Sequence, residues 1–126
     1  MNIVHLEDDG PLREILAAAL KAVEPGCDLR QFIKSDEAVR YSESHQGEID
    51  LFILDIRVPG SMDGLQVAHK LREMQCKGAI VLTSAFRVPD QSILKSLDCE
   101  WFPKPWHIAE TTSKLLTIAR KKKLKM

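Results

Sequence analysis

Cysteine, net charge and long apolar runs are all in short supply in this chain. The three cysteines, Cys27, Cys76 and Cys99, are widely spaced and form no CxxC pair. That argues against a disulfide framework or a zinc site and for a reducing compartment. Lys+Arg 18 against Asp+Glu 18 leaves no formal net charge, so the chain as a whole has no general electrostatic pull toward nucleic acid or a membrane surface. No apolar stretch approaches bilayer length. The N-terminus, MNIVHLEDD, lacks a basic region followed by an apolar one, so no secretory signal is expected and the protein is expected to be cytoplasmic. Aromatic residues make up only 6%, and the remaining composition is that of an ordinary globular domain. No repeat, low-complexity segment or linker divides the 126 residues, a length that suits a single domain.

What is present is organised around residues 50–64, DLFILDIRVPGSMDG. Leu51 to Leu54 form a short apolar run bounded by Gly47 on one side and Pro59, Gly60 and Gly64 on the other. Such a run suits a strand covered on both faces. It stops at Asp55, where open parallel sheets bind their ligands. By itself Asp55 reads best as a turn or cap residue. The ends of the other apolar runs change that balance.

Ile3, Val4 and Leu6 make a first strand that ends in Glu7, Asp8 and Asp9. Asp9, as N-cap, and Pro11 open a helix whose apolar face is Leu12, Ile15, Leu16, Ala19, Leu20 and Val23. Residues 27–33 form a more polar second strand, expected at a sheet edge, and Ser35 is read as the N-cap of a second helix to about His45. Asp63 is expected to cap a third helix marked by Leu65, Val67, Ala68, Leu71 and Met74. AIVLTS follows as a fourth strand, then a short helix at 89–97, a fifth strand at 100–103, and a last helix from about Ile108. Five alternations of strand and helix predict an α/β fold: a doubly wound, five-stranded parallel sheet with helices on both faces. Right-handed crossovers leave few topologies, and order 2-1-3-4-5 sets the first and third strands side by side.

In that arrangement four strand ends converge: Glu7 and Asp8, Asp55, Thr83 and Ser84, and Lys104. Three clustered carboxylates need positive charge. Lys104 supplies one, and oxygen ligands with open positions suit Mg²⁺. Asp55 can then act as a nucleophile toward a phosphoryl group, with Lys104 and a hydroxyl stabilising its oxygens. Alternatively, Asp55 ligates a metal used to hydrolyse a small substrate.

LEDD at 6–9, LDIRVPGSMDG at 54–64, VLTSA at 81–85 and FPKPW at 102–106 together resemble the receiver (response-regulator) domain of two-component signalling, over the whole length of the chain. The resemblance implies a flavodoxin-like fold with Asp55 as phosphoacceptor. It implies Mg²⁺ held by Glu7, Asp8, Asp55 and the backbone carbonyl of Arg57, with Lys104 on the phosphoryl oxygens. It implies a Lys104–Pro105 pair with a cis bond and Trp101 as the aromatic switch residue. The partner would be a histidine kinase or histidine phosphotransfer protein. The chain is expected to be one stand-alone receiver over 1–126, with a basic tail at about 120–126 and no output domain. Its signal would pass by protein contacts around the fourth and fifth strands. A homodimer through the face of the fourth helix, fifth strand and fifth helix is left open. No enzymatic activity is expected beyond self-catalysed phosphotransfer and autodephosphorylation.

The sequence departs from the family pattern in four places. The loop after Asp55 is one residue longer than the commonest form, and the segment between the fourth and fifth strands is shorter by about two residues. VLTSA offers two hydroxyls, of which Ser84 fits the apolar pattern and Thr83 the spacing from Asp55; Ser84 is taken first. Trp101 stands where a Tyr or Phe is usual. An indole is larger, so overpacking is expected to favour its outward position before phosphorylation.

Other residues read as structural. His5 is expected to be a buried, hydrogen-bonded histidine, and His45, His69 and His107 surface residues. Trp106 is expected to anchor the last helix. Arg120, Lys121, Lys122, Lys123 and Lys125 suit a helix C-terminus better than a nucleic-acid contact, and no direct DNA or membrane binding is expected. A rival assignment, a Mg²⁺-dependent phosphohydrolase with an aspartyl nucleophile, would want a second acid where Arg57 stands.

Overall fold

A computed structural model describes residues 1–125; Met126, the last residue of the expected tail, lies outside them. The strands are β1 (Asn2–Leu6), β2 (Asp28–Phe32), β3 (Leu51–Asp55), β4 (Ala79–Ser84) and β5 (Cys99–Pro103). All are parallel, in the order β2-β1-β3-β4-β5. The helices are α1 (Gly10–Val23), α2 (Ser35–Ser44), α3 (Gly64–Glu73), α4 (Gln91–Leu97) and α5 (Ile108–Leu124). This is the doubly wound sheet that the alternating pattern predicts.

Side chains alternate across the pleat, so the sheet builds two cores. Ile3, Leu51, Ile53, Ala79 and Val81 pack against Leu16 and Leu20 of α1 and Leu115, Leu116 and Ala119 of α5. Val4, Leu6, Phe52, Leu54, Ile80 and Leu82 pack against α2, α3 and α4. The central strands β3 and β4 are buried along their whole length, whereas β2 at the edge is partly exposed.

Polar residues stop the helices and tie them to the sheet. The Asp9 carboxylate accepts from Leu12 N, and Asp63 forms a reciprocal capping box with Gln66. Ser35 differs from its expected role. It is the first residue of α2, and its buried hydroxyl accepts from Met62 N in the loop after Asp55. At the opposite end of the sheet the Arg72 guanidinium donates to the carbonyls of Leu97, Cys76, Gly78 and Asp98, tying the C-termini of α3 and α4 together.

The basic run at 120–125 closes the last helix, the helix C-terminus it was expected to suit. Arg120 to Leu124 continue α5, and Arg120, Lys122 and Lys123 pair with Glu24, Asp98 and Asp50. These are cations at a helix C-terminus, where the macrodipole favours them. No helix among the described residues is long and apolar enough to cross a membrane.

Candidate functional site: an acidic cleft at the sheet's C-terminal edge

β1 and β3 are in register, with Leu6 beside Leu54, so the residues that follow, Glu7 and Asp55, come side by side at the C-terminal edge of the sheet. Alternation places both on the α1/α5 side, where Lys104, two residues after Phe102, also points. One carboxylate oxygen from each of Glu7, Asp8 and Asp55 lies within 4.8 Å of the others. Glu7 is fully buried, Asp55 is 5% exposed and Asp8 is open to solvent. The Lys104 ammonium sits between the two buried acids, 2.6 Å from Glu7 Oε1 and 3.1 Å from Asp55 Oδ2. The second Glu7 oxygen, Oε2, accepts from Asp9 N at 3.2 Å.

Burial pushes the Glu7 carboxyl up to about 7, the Lys104 hydrogen bond pulling it down and the Asp55 charge pushing it further up. Burial alone would lower Lys104, but its acidic partners raise it above the ordinary lysine value. An acid-rich site that strains to hold its negative charge fits a divalent cation. Three carboxylates of graded exposure, all oxygen donors, fit Mg²⁺.

The main chain around the acids is fixed. Ile56 N donates to Thr83 O, Gly64 N to Ile56 O, and Arg57 N to Asp55 Oδ1 at 3.4 Å. A Cβ at Gly64 would run into the Asp55 carbonyl, so glycine is what lets the loop fold back against the strand end. The longer loop is strapped to α2: Ser35 N donates to Pro59 O, and both Ser61 N and Ser61 Oγ donate to the Asp36 carboxylate. Gly60, at φ +119°, makes the turn that seats it.

A cleft of about 420 Å³ opens over these groups, lined by Glu7, Asp8, Asp55, Arg57, Ser84 and Lys104, with Phe86 exposed at its rim. Of the two candidate hydroxyls, Ser84 lines the cleft. It donates to Arg87 O at 2.8 Å and accepts from Trp101 Nε1 at 2.9 Å. Thr83 is cross-strand from Asp55 and fully buried, and its hydroxyl accepts from Trp106 Nε1 at 3.1 Å. The expected outward Trp101 is not what the structure has. Its ring is half-buried against the α2–α3–α4 core, because an indole carries a donor that Ser84, on the same face, can accept. The Lys104–Pro105 bond is cis, as the family pattern implies.

His5 is buried, with Nδ1 3.1 Å from Gln31 Nε2, and desolvation drives it down to about 3, so it is neutral. The strap from Ser35 and Asp36 to the loop escaped the sequence reading. Its only trace there was a serine and an aspartate at the start of α2 and a loop one residue too long.

Comparison with known proteins agrees with the fold. The family model for the response regulator receiver domain matches residues 3–115. The chain is 31% identical over 93 residues to the cyclic di-GMP phosphodiesterase response regulator RpfG of Xanthomonas campestris pv. campestris (strain 8004), a match that covers 74% of this chain and 24% of that protein. The chain thus spans about a quarter of the length of that relative. Among solved structures, the signal receiver domain of a LuxO repressor protein from Vibrio parahaemolyticus superposes with a TM-score of 0.84 at 19% identity, covering 98% of this chain and 93% of that one. The response regulatory domain of mrkE from Klebsiella pneumoniae gives 0.83 at 17%, covering 98% and 99%. With its five parallel strands and a family match running almost from end to end, the chain belongs to the response regulator receiver domain family.

Proposed function

We propose that the protein is a phosphorylation-activated signalling switch that takes a phosphoryl group onto Asp55 from a histidine kinase or histidine phosphotransfer protein. The observation that carries this is Lys104 held between Glu7 and Asp55 beside the open carboxylate of Asp8. In the transfer an Asp55 oxygen attacks phosphorus. The O–P bond forms as the P–N bond of phosphohistidine breaks, and the imidazole leaves with the bonding pair and takes up a proton. The Lys104 ammonium and the Ser84 hydroxyl stabilise the equatorial phosphoryl oxygens. Glu7, Asp8, Asp55 and the Arg57 carbonyl would hold Mg²⁺, whose charge offsets that of the incoming group. Output passes through protein contacts, in the cytoplasm, without direct DNA binding.

The test is intact mass after incubation with a small phosphodonor and Mg²⁺. One phosphoryl adduct is expected, and Asp55→Asn should abolish it. An adduct that survives Asp55→Asn would move the site elsewhere.

A further inference from the structure

The residues flanking Lys104 are tied to β4 in two ways. Lys104 N donates to Ser84 O at 3.0 Å, extending the ladder by one bond. Two residues on, the Trp106 indole N–H donates to the Thr83 hydroxyl at 3.1 Å. Thr83 is the direct cross-strand neighbour of Asp55 and shares its face of the sheet. The Trp106 ring is also packed into the α1/α5 core, 6.2 Å from the His5 ring. The turn that carries Lys104 is therefore pinned on both sides to the strand next to the nucleophile. The Lys104 side chain, long and held by the acids only at its tip, is 17% exposed.

From this geometry we infer that Trp106 and Thr83 are positioning residues for phosphoryl transfer: the indole–hydroxyl hydrogen bond holds the 104–106 turn so that the Lys104 ammonium stays between Glu7 and Asp55. The inference rests on Asp55 being the phosphoacceptor. It goes beyond an anchoring role for Trp106, because an anchor needs only the ring, whereas positioning needs the N–H. Lysine loses much rotamer freedom when fixed, so a small shift of its turn releases it from the acids.

Four variants separate these roles. Trp106→Phe keeps an aromatic ring and deletes the donor; Thr83→Val keeps the shape and deletes the acceptor; the double variant closes the cycle; Thr83→Ser keeps the acceptor. Three readouts are taken: the rate of adduct formation with a small phosphodonor, Mg²⁺ affinity, and the yield of zero-length carbodiimide cross-linking between Lys104 and Glu7 or Asp55. Each single deletion should slow adduct formation roughly three- to tenfold, the worth of one net hydrogen bond, while Mg²⁺ affinity stays within about twofold, since Lys104 is not a metal ligand. The double variant should be no slower than the slower single one, because both remove the same bond. Thr83→Ser should recover the rate. The cross-link yield should fall in step with the rate.

Wild-type rate and cross-link yield in Trp106→Phe and Thr83→Val would overturn the inference, as would effects that simply multiply in the double variant. The cross-link does not depend on phosphorylation. If the wild-type protein forms no adduct and the cross-link still falls in the variants, the phosphoacceptor assignment fails and the positioning role of the pair stands. If the cross-link is also unchanged, both fail.

Discussion

Ser84 has one proton and spends it on the Arg87 carbonyl, while its oxygen accepts from the Trp101 indole. To donate to a phosphoryl oxygen it must break the first bond, yet it can keep the second. A hydroxyl that moves inward therefore draws the indole with it and frees the 85–88 segment at the same moment. Incorporation of 5-fluorotryptophan resolves the two indoles by ¹⁹F NMR. Addition of beryllofluoride and Mg²⁺ should shift the Trp101 resonance, and Ser84→Ala should suppress that shift. An unmoved Trp101 signal would leave it as a packing residue. Ser84→Ala should also cost about 1 kcal/mol, at the low end for an unpaired donor because the indole is only half-buried. Matching AIVLTSA to the family pattern favours Ser84 and the spacing from Asp55 favours Thr83, so the sequence ranks the two hydroxyls without separating them; in the structure it is Ser84 that lines the cleft. What the pattern could not give was the partner of each hydroxyl, because a hydrogen bond from an indole on β5 or the turn after it leaves no periodic trace.

Among the elements, the loop between β3 and α3 has the tightest tolerances. It must leave Asp55, close on the strand end and dock on the N-terminus of α2. Gly64→Ala places a methyl against the Asp55 carbonyl, and backbone cannot yield as a flexible side chain can. Gly60→Ala forces a residue with a Cβ into φ +119° and against Ser35. Each should destabilise the protein by roughly 1–3 kcal/mol, the usual cost of a backbone held in a sparsely populated region or displaced by a clash. Gly64→Ala should also abolish or sharply slow adduct formation if Asp55 is the phosphoacceptor, since it moves that residue's backbone. Thermal melts and adduct rates check both, and a wild-type melt for Gly64→Ala would mean that the loop relaxes without strain. The existence and order of the elements were legible because apolar periodicity, Pro and Gly punctuate them so regularly. The strap from Ser35 and Asp36 was not, because Ser35 and Asp36 read equally well as ordinary helix-start residues when α2 is considered alone. At the end of α5 the helix C-terminus was legible in the run of cations, whereas their partners, Glu24, Asp98 and Asp50, are brought alongside only by the fold.

For the molecule as a whole, the acidic cluster should couple stability to pH and, if it holds Mg²⁺ as proposed, to divalent cations. Glu7 titrates near 7 when folded and near 4.5 otherwise, so the folded state binds the extra proton between these values. Its contribution is most favourable below about 4.5 and is lost as pH rises to about 7. His5, neutral when folded, has the opposite sense: its contribution is full above about 6.5 and is lost as pH falls toward 3. The two oppose each other in wild-type melts, and a comparison isolates Glu7. The stability of Glu7→Gln relative to wild type should rise with pH between about 4.5 and 7 in the absence of divalent ions, and a flat difference would reassign the titrating group. Mg²⁺ should stabilise the wild-type fold by about 2.7 kcal/mol at 100 times its dissociation constant, and Asp8→Asn should blunt the response. An unchanged melting temperature across a millimolar magnesium titration would count against the site.

The four-carbonyl grip of Arg72 has a mechanical consequence. It holds the C-terminal end of α4, while the N-terminal end, at Asp90, has no side-chain cap. A seven-residue helix clamped at one end is a lever, and Arg72 is its fulcrum. Release of the 85–88 segment by Ser84 would swing the free end and leave the foot in place, so displacement should grow from Leu97 toward Gln91. A sub-ångström event at Asp55 would thus be read out as a graded rotation on the flank of β5.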